Sequence, residues 1–194
     1  MNFSPALITN NIVDPLRLFF AQYGGTDLTW TSDPKTSKVE VDSINNFHKV
    51  AIQAKPRVLI SRGSFSIRGS GLADNLAEGD SLEKTKGLRD TLGLVFIDGQ
   101  AQILIEARQE GTAERLVDMV SHFVVWAREF YCNYKGFKQF AQTISVSPVT
   151  PSREDLEIFQ CSIGLPWSAE DSWHIRTDGV KIKDILLQAT KLPG

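Results

Sequence analysis

Residues 93–176 carry the most constraining pattern in this chain: strand, tight turn, strand, one long amphipathic helix, then three further strands. Elements in that order give an α+β fold, a twisted and mostly antiparallel sheet packed against the long helix and a short N-terminal one. The long helix, residues 112–134, is read from Leu116, Val117, Val120, Phe123, Val124, Ala127, Phe130 and Tyr131, which recur at i, i+3, i+4 and i+7. Met119 and Trp126 widen the apolar arc to about half the circumference, enough to meet more than one surface, while Val125 falls on the polar side. That periodicity assigns the helical aromatics to the core rather than to base stacking. The stripe is expected to pack on Ile103, Ile105, Ile144 and Val146. Residues 92–97 and 101–107 are expected to form a hairpin turning at Asp98-Gly99, because both central positions of such a turn need positive φ. Further strands are expected at 143–146, stopped by Pro148 and Pro151, and at 157–163 and 173–176, the last two joined across 164–172. Gly136 is placed to end the helix.

Nearer the N-terminus, Asp14-Pro15 reads as a helix start, followed by Leu16, Phe19, Phe20 and Tyr23 and closed by Gly24-Gly25. Leu28, Trp30, Val39 and Val41 point to a short hairpin around residues 32–35. Residues 45–55 fit a helix through Phe47, Val50, Ala51 and Ala54, or a strand through Val50 and Ile52. Pro56 forces its predecessor out of helical space, so residues 57–67 begin an extended element, with Gly63 marking a bulge or a bend. Residues 69–89 change character, with four glycines, acids at Asp74, Glu78, Asp80 and Glu83, then Lys84, Lys86 and Arg89. A connection of that length without periodicity is the best candidate for a working segment, expected to be mobile alone and ordered against a neighbour. The tail from Val180 carries Ile182, Ile185 and Leu186, which suits an edge strand or a docking helix. The 194 residues read as one domain, with an N-terminal extension over 1–55 and the long loop over 69–89.

Composition removes several functional classes. A net charge of −2 and a pI near 5.9 argue against sequence-independent nucleic-acid binding and against a polybasic membrane anchor. No signal-peptide pattern opens the chain, and no apolar run approaches the roughly 20 residues of a membrane span. Cys132 and Cys161 stand alone and read as buried apolar thiols of a protein made in a reducing cytoplasm. The acids of 74–83 lack EF-hand spacing, and His48, His122 and His174 form no paired motif, so no metal and no cofactor are expected. Arg68-Gly69-Ser70-Gly71 lacks the ending of a phosphate loop, and Gly63-Ser64-Phe65-Ser66-Ile67 fails a nucleophile elbow at its last position. No catalytic residue is expected. A hydrolase-like site near Ser64, Ser66 or His174 remains one alternative, since triads assemble from distant positions. A monomeric binding module using loop 69–89 is the other.

An Ile-rich strand ending Glu106-Ala107-Arg108, a helix, Ile144-Ser145-Val146-Ser147-Pro148, and two strands closing on Trp173 resemble the tail-terminator and neck proteins of tailed phages. The resemblance covers residues 92–176 and is one of architecture. It implies a virion structural protein, not an enzyme, assembled in the host cytoplasm as a six- or twelve-fold homo-oligomeric ring. Its axial partners would be tail-tube and head-connector proteins, with no membrane and no specific nucleic-acid recognition although DNA would pass through. The expected contact residues are Arg62, Arg68, Asp74, Glu78, Asp80, Glu83, Lys84, Lys86, Arg89, Val125, Trp173 and Ile182.

Overall fold

A computed structural model describes residues 8–44, 55–69, 89–153 and 155–177, with backbone alone at 69, 89–94 and 172–177. The expectations for residues 45–54, 70–88 and 178–194 lie outside the described residues. The fold is α+β. In chain order it runs α1 (Ile8–Tyr23), β1 (Glu40–Ser43), β2 (Arg57–Gly69), β3 (Arg89–Ala107), α2 (Glu110–Trp126), α3 (Arg128–Tyr134), β4 (Phe137–Phe140), β5 (Ser145–Val146), β6 (Thr150–Pro151) and β7 (Phe159–Thr177). The strands form one open sheet of order β1-β2-β3-β7-β4, and β5 and β6 also pair with β7. Among the described residues only β1 and β2 pair in parallel; the other pairs are antiparallel.

One core lies between sheet and helices. α1 rests on β1 and β2, α2 on β3 and β7, and α3 on β4. The rings of Phe19 and Phe123, 4.6 Å apart, join α1 to α2, so both helices share one side of the sheet. On β3 that side is Val95, Ile97, Ala101, Ile103 and Ile105, the alternate residues of a strand with one buried face. Residues 8–44 contribute to this same core through Ile8, Ile12, Leu16, Phe20, Leu28, Val39 and Val41.

α1 begins earlier than Asp14, and Pro15 lies inside it. The reason is burial. Ile8 and Ile12, which the earlier start adds, are fully buried, and at about 1.5–3 kcal/mol each they together offset the roughly 3 kcal/mol that an interior proline costs. The end falls where expected: Gly24 N–H donates to Phe20 O at 3.1 Å, and Gly25 takes a φ of 64°. No hairpin follows. Lys38 N–H bonds Thr29 O at 2.8 Å, but the Ser37 hydroxyl accepts Thr31 N–H and donates to Val39 O, side-chain bonds where a ladder would run. Val41 enters β1, which pairs with β2 instead.

Two expected turns are continuous strand. Asp98-Gly99 lies within β3, a strand of 19 residues, and residues 164–172 lie within β7, also 19 residues long. The two pair without interruption from Arg89–Thr177 to Ala107–Phe159. Gly99 is there for close approach. It stands between Phe65 on β2 and Trp167 on β7, and an added Cβ would lie 2.8 Å from the Phe65 Cβ and overlap the Trp167 ring. In β7 the buried side continues through Ile163, Leu165, Trp167 and Ala169, a period of two across the expected loop. The bulge near Gly63 is present, as a register shift between Arg62 and Phe65.

The long helix comes as two segments. Backbone geometry departs at Ala127 (φ −79°, ψ 2°), yet Ala127 N–H still bonds Phe123 O and Tyr131 N–H bonds Ala127 O. The break directs Tyr131 onto β4, a strand not anticipated, where its ring stacks on Phe140 at 4.1 Å and meets Phe137 edge-on. Gly136 ends α3 with a φ of 78°. Ile103 and Ile105 are buried as expected and Ile144 packs partly on the core, but Val146 is exposed at the short β5. Both cysteines are free thiols, Cys161 buried and Cys132 half-buried.

On the other side of the sheet, Glu40, Arg57 and Glu106 form one row across β1, β2 and β3. Arg57 Nε lies 3.3 Å from Glu40 and Nη1 3.4 Å from Glu106, with the Arg57 side chain only 3% exposed. Arg57→Ala is expected to cost about 3 kcal/mol, because it leaves two carboxylates facing each other without their cation. A loss under about 1 kcal/mol in urea unfolding would show that the row is not structural.

Candidate functional site

Among the described residues, six of the eleven exposed large apolar side chains lie on the helices and the other five on strands and connecting segments. Trp126, Phe130 and Tyr134 recur every fourth residue across the α2–α3 break, Trp126 being 79% exposed and Tyr134 72%. Phe130 and Tyr134 face each other with centroids 5.5 Å apart, and the Lys135 ammonium sits 5.8 Å from the Phe130 centroid. Beside Trp126 lies an apolar groove of about 370 Å³, walled by Phe19, Met119, Phe123 and Trp126 with Asp118 and His122 at its rim. Tyr23 extends the band at the end of α1, its ring 5.6 Å from Phe19. Periodicity alone places these aromatics in the core. Tyr131 and Phe123 are there, but Trp126, Phe130 and Tyr134 form a second stripe rotated away from the sheet. The signal for it is the unusual width of the apolar arc.

The outer face of α2 leading to this band is acidic, with Asp118 at the rim of the groove. Glu110, Glu114, Asp118 and Glu129 are exposed, and none of the four has a salt bridge among the described residues. The neighbouring Arg115 is drawn off to Asp27 at 3.7 Å. His122 Nδ1 lies 2.8 Å from the Asp118 carbonyl, the distance of a ring N–H donating one turn back.

The expected contact residues divide. Val125 is exposed on the outer face of α2, as read from its helical position. Arg62 and Arg68 are exposed on β2, where Arg68 pairs with Asp98 and the Arg62 guanidinium lies 5.0 Å from the Phe65 centroid. Asp74, Glu78, Asp80, Glu83, Lys84, Lys86 and Ile182 lie outside the described residues. Arg89 and Trp173 are described by backbone alone, paired with Thr177 and Gly93 in the β3–β7 ladder. The outer side of β7 around Trp173 has no strand partner among the described residues, since β4 reaches only Ala169. The Ser66 hydroxyl donates to the Asp98 carbonyl at 3.5 Å, a weak bond along the strand pair.

A second cleft of about 340 Å³ lies between α1 and β1, with Arg17, Trp30, Ser37 and Lys55 in its wall. Its cations are already engaged. Arg17 donates to Val41 O at 2.9 Å, pairs with Asp42 at 3.2 Å and covers Trp30, while Lys55 donates to Pro34 O. Burial pushes the Cys161 thiol up, against the opposing effect of its hydrogen bonds with Ser147.

Fold and surface together define an open-sheet α+β protein whose most developed exposed feature among the described residues is an aromatic band beside an acidic helical face. Among known proteins, no family model matches this chain and no curated protein matches it.

Proposed function

We propose that this chain is a virion structural protein of a tailed phage, a tail terminator or neck adaptor that forms a ring joining the tail tube to the head connector. The exposed aromatic band of Trp126, Phe130 and Tyr134 carries the reading. Large aromatics are the side chains that protein interfaces enrich, and a contiguous exposed set with an adjoining apolar groove marks a contact surface. A sheet with helices on one side leaves such a band free to meet a neighbouring subunit, and repetition of one head-to-tail contact closes a ring. The resemblance adds support only through the Ile-rich end of β3 and the helix that follows it, because its two closing strands are one continuous strand, β7.

Mass photometry of the purified protein over a concentration series, with negative-stain images, tests the reading. Closed rings of six or twelve copies are the expected result, along with this chain in the neck or tail of purified particles. The double variant Trp126→Ala, Tyr134→Ala should keep its melting temperature, because both side chains are mostly solvent-exposed, and weaken association at least about tenfold. A protein that stays monomeric at every concentration and is missing from particles would overturn the proposal.

A further inference from the structure

We propose that the acidic helical face is covered by a second copy of this chain, which presents Arg62 and Ile67 on the flank of β2; the proposal rests on the ring-forming reading above. The two surfaces differ in charge and lie on different parts of the molecule. On α2, Glu114 and Asp118 stand one turn apart, and Val125 and Trp126 follow about two turns beyond Asp118 on the same helix, all exposed. On β2, Arg62 is exposed with no carboxylate in salt-bridge range among the described residues, and Ile67 is 61% exposed. Each surface therefore combines unneutralised charge of one sign with an apolar side chain that solvent does not favour.

Position makes the contact head-to-tail. β2 lies toward the β1 side of the sheet, whereas α2 lies over β3 and β7. One copy cannot satisfy its own acidic face, and two different surfaces meeting between identical chains form a heterologous contact, the kind that propagates into a ring. Arg62 and Ile67 pair with Ala101 and Ile97, which are buried on the helix side, so this flank projects toward the layer that a neighbour's helices occupy. The outer side of β2 from Ser61 onward has no strand partner among the described residues. The register shift between Arg62 and Phe65 interrupts that edge, and a bulged edge is a poor template for strand addition. The contact is thus made by side chains. Trp126 against Ile67 supplies the apolar part, and Arg62 against Glu114 and Asp118 sets orientation, the role charges fill best across an interface.

A charge-swap experiment tests it. Arg62→Glu, Asp118→Arg and the double variant are compared with the wild type by sedimentation velocity over a concentration series. Both sites are exposed, so the melting temperatures should coincide, and each single variant should weaken association about tenfold. The double variant, with the charges exchanged, should recover to within about threefold of the wild type, which a general loss of folding or solubility would not produce. If the wild type forms rings and the single variants form them equally well, another protein covers the acidic face and this contact is wrong while the ring reading stands. A double variant no better than the singles would likewise overturn the contact and spare the ring. A wild type that never assembles overturns this contact, and the ring reading with it when the chain is also missing from particles.

Discussion

Replacing Tyr131 with alanine is expected to cost about 3–5 kcal/mol, the largest loss from any single side chain in the helical layer. The ring is fully buried, stacks on Phe140 at 4.1 Å, and contacts Phe137 and Phe130 edge-on. It is the residue through which α3 is tied to β4. Tyr131→Phe should behave in the opposite way. The phenolic oxygen is buried and has no hydrogen-bond partner among the described residues, so removing it should leave stability unchanged or raise it by up to about 1 kcal/mol. Burial also pushes the phenol well above its ordinary value of 10.0. The unfolded chain then ionises first: stability is complete below about pH 10 and falls as pH rises beyond it. Because only the wild type carries the titrating group, its denaturant melts should lose stability relative to Tyr131→Phe as pH rises through that range. Parallel curves would mean that the hydroxyl reaches water.

Gly99→Val is the second large effect. A Cβ at this position overlaps the Trp167 ring and lies 2.8 Å from the Phe65 Cβ, so neither neighbour on β2 or β7 can stay in place. Overpacking of this kind typically costs about 1–3 kcal/mol, and the upper part of that range is expected because the obstacle is a buried indole in the central strand pair. The companion change Trp167→Ala should be destabilising alone yet partly offset Gly99→Val when the two are combined, since it removes the obstacle. Strictly additive losses in thermal melts would rule out this steric account.

The parts of the fold that are legible in the sequence are those where one periodicity acts over a long run. Leu116, Val120, Phe123 and Val124 have no competing signal, and Ile103 and Ile105 read as strand for the same reason. Asp98-Gly99 misleads because a dipeptide that favours a turn also suits a strand in which glycine admits two aromatic neighbours. Nothing local distinguishes the cases; Trp167 is far away in sequence. Pro166 hides the middle of β7 in a similar way, although Leu165, Trp167 and Ala169 hold the alternation. Pro15 misplaces the start of α1 because propensity is weaker than the burial of Ile8 and Ile12. Of the candidate surface, Val125, Arg62 and Arg68 are readable as exposed positions. Trp126, Phe130 and Tyr134 are not, because a helix registers which residues are apolar before it registers which of them the sheet is wide enough to cover.

The uninterrupted β3–β7 ladder has a consequence for how the chain is made. Residues 89–107 emerge from the ribosome early, and β2 is already available to one side of them. Their other side must wait until residues 159–177 have been synthesised. Contacts between segments so distant along the chain form slowly, after the helices and β4 have had time to settle. Through that interval β3 presents a long bare edge, with Val95, Ile97, Ile103 and Ile105 along it, to any other nascent copy nearby. The yield of folded protein is therefore expected to fall as unfinished chains become more crowded, even though the finished sheet is continuous.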